Sequence, residues 1–123
     1  MRAAVERIVA ADNARDLAGV LAAYTDDIVW LPPNGDMLRG RAALRARYEP
    51  LFAGFQPHMA VEVVDARSSG VMGFAWGYVK GSLTPVEGGD AVPVDDKFLA
   101  VVRHEDGEWR VARLMWGPRE DEP

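Results

Sequence analysis

The stretch Lys97-Phe98-Leu99-Ala100-Val101-Val102-Arg103-His104-Glu105-Asp106-Gly107-Glu108-Trp109-Arg110-Val111-Ala112-Arg113-Leu114-Met115-Trp116 decides the fold class. Two runs rich in β-branched and aromatic residues flank an Asp-Gly pair. That pair suits a tight hairpin turn, whose backbone needs positive φ. The stretch therefore predicts two antiparallel strands near the end of the chain. Working upstream, Val71 to Leu83 is rich in aromatic and small residues, and Thr84-Pro85 and Gly88-Gly89-Asp90 turn the chain after it. Further back, Met59, Val61 and Val63 alternate with Ala60, Glu62 and Val64, so the pattern is β from Pro57 onward.

The first half is helical. Val5, Ile8 and Val9 form the stripe of a short amphipathic helix. After an expected break at Asp12-Asn13, Leu17, Val20, Leu21 and Tyr24 continue the helical spacing. Asn13 suits the N-cap, and Asp16 favours the positive helix start. Asp27 to Leu31 is a short β run ended by Pro32-Pro33-Asn34-Gly35. A third helix carries Leu44, Tyr48, Leu51 and Phe52 on one face, with Pro50 expected to kink or stop it. Helices followed by an antiparallel meander predict an α+β fold, with a curved sheet wrapped around the helices.

With 123 residues, 49% of them hydrophobic and 27% charged, the chain suits one globular domain, expected over residues 1–117 with an acidic tail at 118–123. It has no cysteine, which excludes disulfides, thiolate catalysis and cysteine-bound metals. The net charge is −5 and no Lys/Arg stripe offers a phosphate track, so no nucleic-acid partner is expected. The charged opening Met1 to Arg7 does not resemble a signal peptide, and no segment reaches the ~18 apolar residues of a membrane span. A cytoplasmic location without membrane partners is the expectation. His58 and His104 lack a metal-type partner, and Gly88-Gly89 precedes no helix, so neither a metal nor a cofactor is expected.

Several motifs, in order, resemble one superfamily: Asn13-Ala14-Arg15-Asp16-Leu17, Tyr24-Thr25-Asp26-Asp27, Pro32-Pro33-Asn34-Gly35, Arg39-Gly40-Arg41, Gly77-Tyr78, Asp96-Lys97-Phe98-Leu99, Asp106-Gly107-Glu108-Trp109-Arg110-Val111 and Met115-Trp116. Over roughly residues 5 to 117 the chain resembles SnoaL-like proteins of the nuclear-transport-factor-2-like superfamily, with the steroid Δ-isomerases as more distant relatives. The resemblance implies a cone-shaped half-barrel, an apolar pocket for a small molecule and a homodimer formed through the outer sheet face. It gave Phe98, Val102, Val111 and Met115 the parity to supply that outer face. Steroid isomerases use a helix-1 tyrosine, a first-strand aspartate base and a strand aspartic acid. The matching positions here are Ile8, Pro32 and Leu99, which can neither abstract a proton nor donate to an oxyanion. An acid common in SnoaL-like relatives, two residues before the last-strand tryptophan, is Leu114 here.

The same matching implies which side chains look into the cone: Trp30, Phe74, Trp76, Tyr78, Leu99, Val101, Ala112, Leu114 and Trp116 from strands, and Tyr48 and Phe52 from the third helix. These rings are either ligand contacts or a filled aromatic core. Lys97 shares the parity of Leu99 and Val101. It is either a pocket acid–base group or anion anchor, or a rim lysine paired with Asp95 or Asp96. Lys80 carries a weaker version of that argument, and Arg110 suits a solvated rim. The leading expectation is binding of a small hydrophobic or aromatic molecule. The rivals are an isomerase, dehydratase or cyclase using Lys97 with Tyr48 or Tyr78, and an association module with a filled pocket.

Overall fold

A computed structural model describes residues 1–119; the acidic residues 120–123 lie outside the described residues. Two helices, α1 (Arg2–Ala14) and α2 (Leu17–Ala22), lead into strand β1 (Tyr24–Leu31). A two-residue strand β2 (Leu38–Arg39) then precedes helix α3 (Gly40–Gly54). The rest is a meander of long strands: β3 (Phe55–Ser69), β4 (Met72–Pro85), β5 (Val92–Glu105) and β6 (Glu108–Pro118). One six-stranded sheet results, ordered β2-β1-β6-β5-β4-β3, with β1 parallel to β6 and every other pair antiparallel. The sheet curves without closing, and the helices fill its concave side, as the α+β cone requires. No described helix is long and apolar enough to cross a membrane.

The helix boundaries differ from expectation in instructive ways. α1 runs through Asp12-Asn13 and stops at Arg15, whose left-handed backbone lets the Arg15 and Asp16 amides donate to the Asp12 and Ala11 carbonyls. Asp16, rather than Asn13, caps α2, accepting from the Gly19 amide at 3.0 Å. Asn13 instead clamps α1 to β3, with its amide nitrogen and oxygen each 2.8 Å from the Met59 backbone. α3 continues past Pro50 to Gly54. Tyr24, expected on a helix, opens β1 and is fully buried.

The Asp106-Gly107 hairpin forms as expected, with both residues at positive φ and Glu105 paired with Glu108. Beyond it the ladder contains a bulge. Val102 pairs with Val111, but Val101 pairs with Arg113, leaving Ala112 as an extra residue. Regular pairing would have set Leu99 opposite Leu114; instead Leu99 faces Met115 and Ala100 faces Leu114. A one-residue shift moves a strand's side chains to the other face. Phe98, Ala100 and Val102 are therefore buried on the concave side, whereas Leu99 and Met115 are exposed on the convex one. This reverses the expected outer-face set: of Phe98, Val102, Val111 and Met115, only Met115 points outward.

Candidate functional site

The concave face encloses a cavity of about 300 Å³. α1 contributes Ile8 and Asp12 to it, β1 contributes Tyr24 and Trp30, and α3 contributes Tyr48. Phe98 comes from β5, and Val111, Leu114 and Trp116 from β6. Trp30 is the hub of the aromatic wall. Its ring lies 5.2 Å from Tyr48, 4.9 Å from Trp116 and 6.1 Å from Tyr24, edge-to-face each time. Exposed Arg47 and half-buried Asp96 sit among the lining residues as its outer charged groups.

Asp12 is the singular group. It lies in the last turn of α1, on the Val5–Ile8–Val9 stripe, and only 8% of it is exposed. The Asn13 clamp fixes the helix end that carries it. Its Oδ1 has no hydrogen-bond partner among the described residues. Burial pushes its carboxyl up to about 8. A position beside the exposed carbonyls of a helix C-terminus also disfavours a carboxylate. At neutral pH the group is therefore mostly a neutral acid, able to donate as well as accept.

Two tyrosines and the buried Trp30 indole N–H complete the polar part of the cavity. The hydroxyls of Tyr24 and Tyr48 are 3.0 Å apart, both buried, so one donates to the other and the acceptor keeps a proton to donate elsewhere. Burial, and then the negative charge of Asp12, hold Tyr24 well above the ordinary phenol range. Tyr48 is raised by burial, then by Tyr24 and Asp12. Both remain protonated donors at physiological pH. Burial, then the charge of Asp95, also raises Asp96. Among the described residues no cluster suited to a metal ion occurs.

Of the residues expected in the pocket, the structure brings Trp30, Tyr48, Leu114 and Trp116 together around the cavity. Phe52 is buried and packs on Tyr48 at 5.1 Å. Ala112 is the buried bulge residue. The expected inward facing of six others is corrected. Phe74, Trp76 and Tyr78 are cross-strand partners of Val101, Leu99 and Lys97, so the bulge that turns Leu99 outward carries all six to the convex side. There Trp76, Tyr78, Lys97, Leu99 and Met115 line a second concavity of about 390 Å³. Arg119 stacks on the Tyr78 ring at 3.8 Å and its amide donates to the Asp95 carbonyl. Arg110 lies near the hairpin in ion pairs with Glu105, Asp106 and Glu108. Asp26 and Asp27 pair with Arg41 and Arg103. Ile8 lines the cavity, and Leu99 does not.

Sequence reasoning missed Asp12 and Tyr24. For Asp12 a signal existed: it falls four residues after Ile8 and seven after Val5, a carboxyl on the apolar stripe of its own helix. Tyr24 fits helical and strand periods equally well at the end of a short run, so nothing local marked it.

The profile of the SnoaL-like domain matches residues 5–112. This chain belongs to the SnoaL-like domain family. No functionally curated protein matches this SnoaL-like chain. Among solved structures it is similar to a ketosteroid isomerase-like protein from Erwinia carotovora atroseptica SCRI1043, with 26% identity, TM-score 0.85, and coverage of 98% of this chain and 94% of that one. It also resembles an NTF2-like protein of unknown function from Pseudomonas putida KT2440 (23% identity, TM-score 0.74, 98% and 84% coverage). A third similar structure, from Xanthomonas campestris, bears the name of a calcium/calmodulin-dependent protein kinase II association domain (18% identity, TM-score 0.82, 96% and 84% coverage). Two of the three are under 25% identical and speak to the fold alone.

Proposed function

We propose that this SnoaL-like domain binds a small, mainly apolar molecule in its inner cavity. The observation that carries the reading is the cavity itself: about 300 Å³ of space walled by Trp30, Tyr48, Leu114 and Trp116, with Asp12, the tyrosine pair and the Trp30 indole N–H as its buried polar groups. An apolar enclosure with a few convergent polar groups is the usual composition of a small-molecule site. Trp30 and Trp116 sit in the wall, so a ligand should perturb tryptophan fluorescence. Saturable quenching by an apolar aromatic panel should disappear in Leu114→Trp, which fills the space, and persist in Trp76→Ala. Quenching that survives Leu114→Trp and vanishes with Trp76 would move the site to the convex face.

A proton-transfer enzyme of isomerase, dehydratase or cyclase type is the second reading, and buried Asp12 is what favours it. In this reading Asp12 works with Tyr48. Lys97 and Tyr78, across the sheet from Tyr48, fall outside the catalytic group, since general acid–base catalysis needs reach to one substrate. The convex face suits a second copy of the chain. Phe74, Trp76, Leu99 and Met115 there are 36%, 37%, 48% and 52% exposed, a grouping of large apolar side chains typical of interaction surfaces.

A further inference from the structure

We propose that the ligand of the inner cavity is a hydrophobic cation, an apolar body carrying an alkylammonium group that docks against Asp12 within the corner formed by Trp30, Tyr48 and Trp116. The proposal deepens the binding reading above and rests on it.

Three observations converge. First, Asp12 is buried at the cavity wall, with one carboxyl oxygen that accepts from no donor among the described residues. Ionising this buried acid is costly unless a positive or donating group meets it. Among the described residues, Arg47 is the one cationic residue of the lining, and it is exposed. Second, the wall beside Asp12 is aromatic. Tyr48 and Trp116 pack edge-to-face with Trp30, at 68° and 80°. Aromatic faces attract ammonium groups, more strongly where water is excluded. Third, the sign of the surrounding charge agrees. Asp96 is a second lining carboxyl and the chain carries −5 overall, a field that draws cations and repels anionic ligands.

The charge on Asp12 makes the proposal testable by the sign of a pH dependence. An ammonium ligand binds the ionised form, so its affinity rises as Asp12 loses its proton. A neutral ligand that accepts a hydrogen bond from protonated Asp12 weakens over the same range. The other titratable and charged groups facing Asp12 are Tyr24 from β1, Tyr48 and Arg47 from α3, and Asp96 from β5. β3 and β4 present Met59, Val79 and Leu83 to the cavity, and β6 presents Val111, Leu114 and Trp116, none of which titrates. Both tyrosines stay protonated in the range used.

The experiment compares benzyltrimethylammonium, whose charge is independent of pH, with its neutral isostere neopentylbenzene, by tryptophan fluorescence from pH 6 to pH 9. With Asp12 titrating near 8, the affinity for the ammonium should rise roughly tenfold or more between pH 6 and pH 8 and then level off. Neopentylbenzene should bind with little pH dependence. Asp12→Asn, which keeps the shape of the side chain, should flatten the ammonium profile and leave the isostere unchanged. If the isostere binds but the ammonium binds no better at any pH, or its profile survives Asp12→Asn, the cation proposal is overturned and the apolar pocket stands. If neither probe binds, the binding reading falls and the proposal with it.

Discussion

The two faces of the sheet make opposite use of adjacent residues. On β5, Phe98, Ala100 and Val102 are buried under the helices, whereas Leu99 between them is half exposed. On β4, Ala75 is fully buried, while Phe74 and Trp76 on either side are open. The concave face crowds its side chains together and accepts small residues near its floor. A Cβ at Gly77, for example, would run into the Glu62 carbonyl oxygen. The convex face spreads side chains apart and has no cover among the described residues, so its large apolar residues remain open. The difference shows that residue size is a poor guide to burial in a curved sheet. The largest rings can stand on the face that lacks a cover.

The strongest way to break this contrast is to remove the residue that sets it. Deleting Ala112 would restore regular pairing between β5 and β6 and turn Leu114 and Trp116 toward the convex side, or push Val111 out of the core. Losing burial of two or three large side chains costs about 3–6 kcal/mol, comparable with the whole stability of many domains. The deletion variant should show no cooperative thermal transition. A variant that melts within a few degrees of the parent would mean that the bulge does not set the facing.

That bulge also explains what could be read from residues alone. The element order, the α+β class, the Asp106-Gly107 hairpin and the inward facing of Trp30, Tyr48, Leu114 and Trp116 were all legible, because each rests on local pattern or on the family resemblance. The facing of Phe74, Trp76, Tyr78, Lys97, Leu99 and Val101 was not. Lys97 shares the parity of Leu99 and Val101, and the family matching that places Phe74, Trp76, Tyr78, Leu99 and Val101 inward takes no account of the bulge. Ala112 carries no mark of a bulge: it is neither glycine nor flanked by turn residues. Asp12 was hidden differently, since an Asp-Asn pair reads as a helix end when its place on the apolar stripe is ignored.

Phe98 and Leu99 sharpen the comparison at a single step along the chain. Phe98→Ala should cost about 3–4 kcal/mol in urea unfolding, and Leu99→Ala less than about 1 kcal/mol at low protein concentration. If Leu99→Ala becomes as costly as Phe98→Ala when the protein is concentrated, a second copy covers the convex face, and sedimentation should show the dimer.

Asp12→Asn tests the polar side of the concave face and should stabilise it. The carboxyl titrates at about 8 folded and near its ordinary value of 3.8 unfolded. The unfolded chain therefore gives up this proton first. Stability is lost as pH rises from about 4 to about 8 and stays low above that. The asparagine variant lacks this penalty, so its gain should be near zero at pH 4 and grow to several kcal/mol at pH 9. Melting temperatures of both proteins across that range give the answer, and a gain independent of pH would show that Asp12 is not held neutral.

Tyr48→Phe is the most local of these changes. It removes one hydroxyl from a buried pair and leaves Tyr24 without its 3.0 Å partner. An unsatisfied buried hydroxyl costs about 1–2 kcal/mol, so the loss should be of that order. The phenyl ring would still fill the space between Trp30 and Phe52, which keeps the packing term out of the measurement. In Tyr24→Phe/Tyr48→Phe both hydroxyls of the pair are absent, so the double variant should recover part of the loss. Additive costs instead would mean that the two hydroxyls act separately within the cavity.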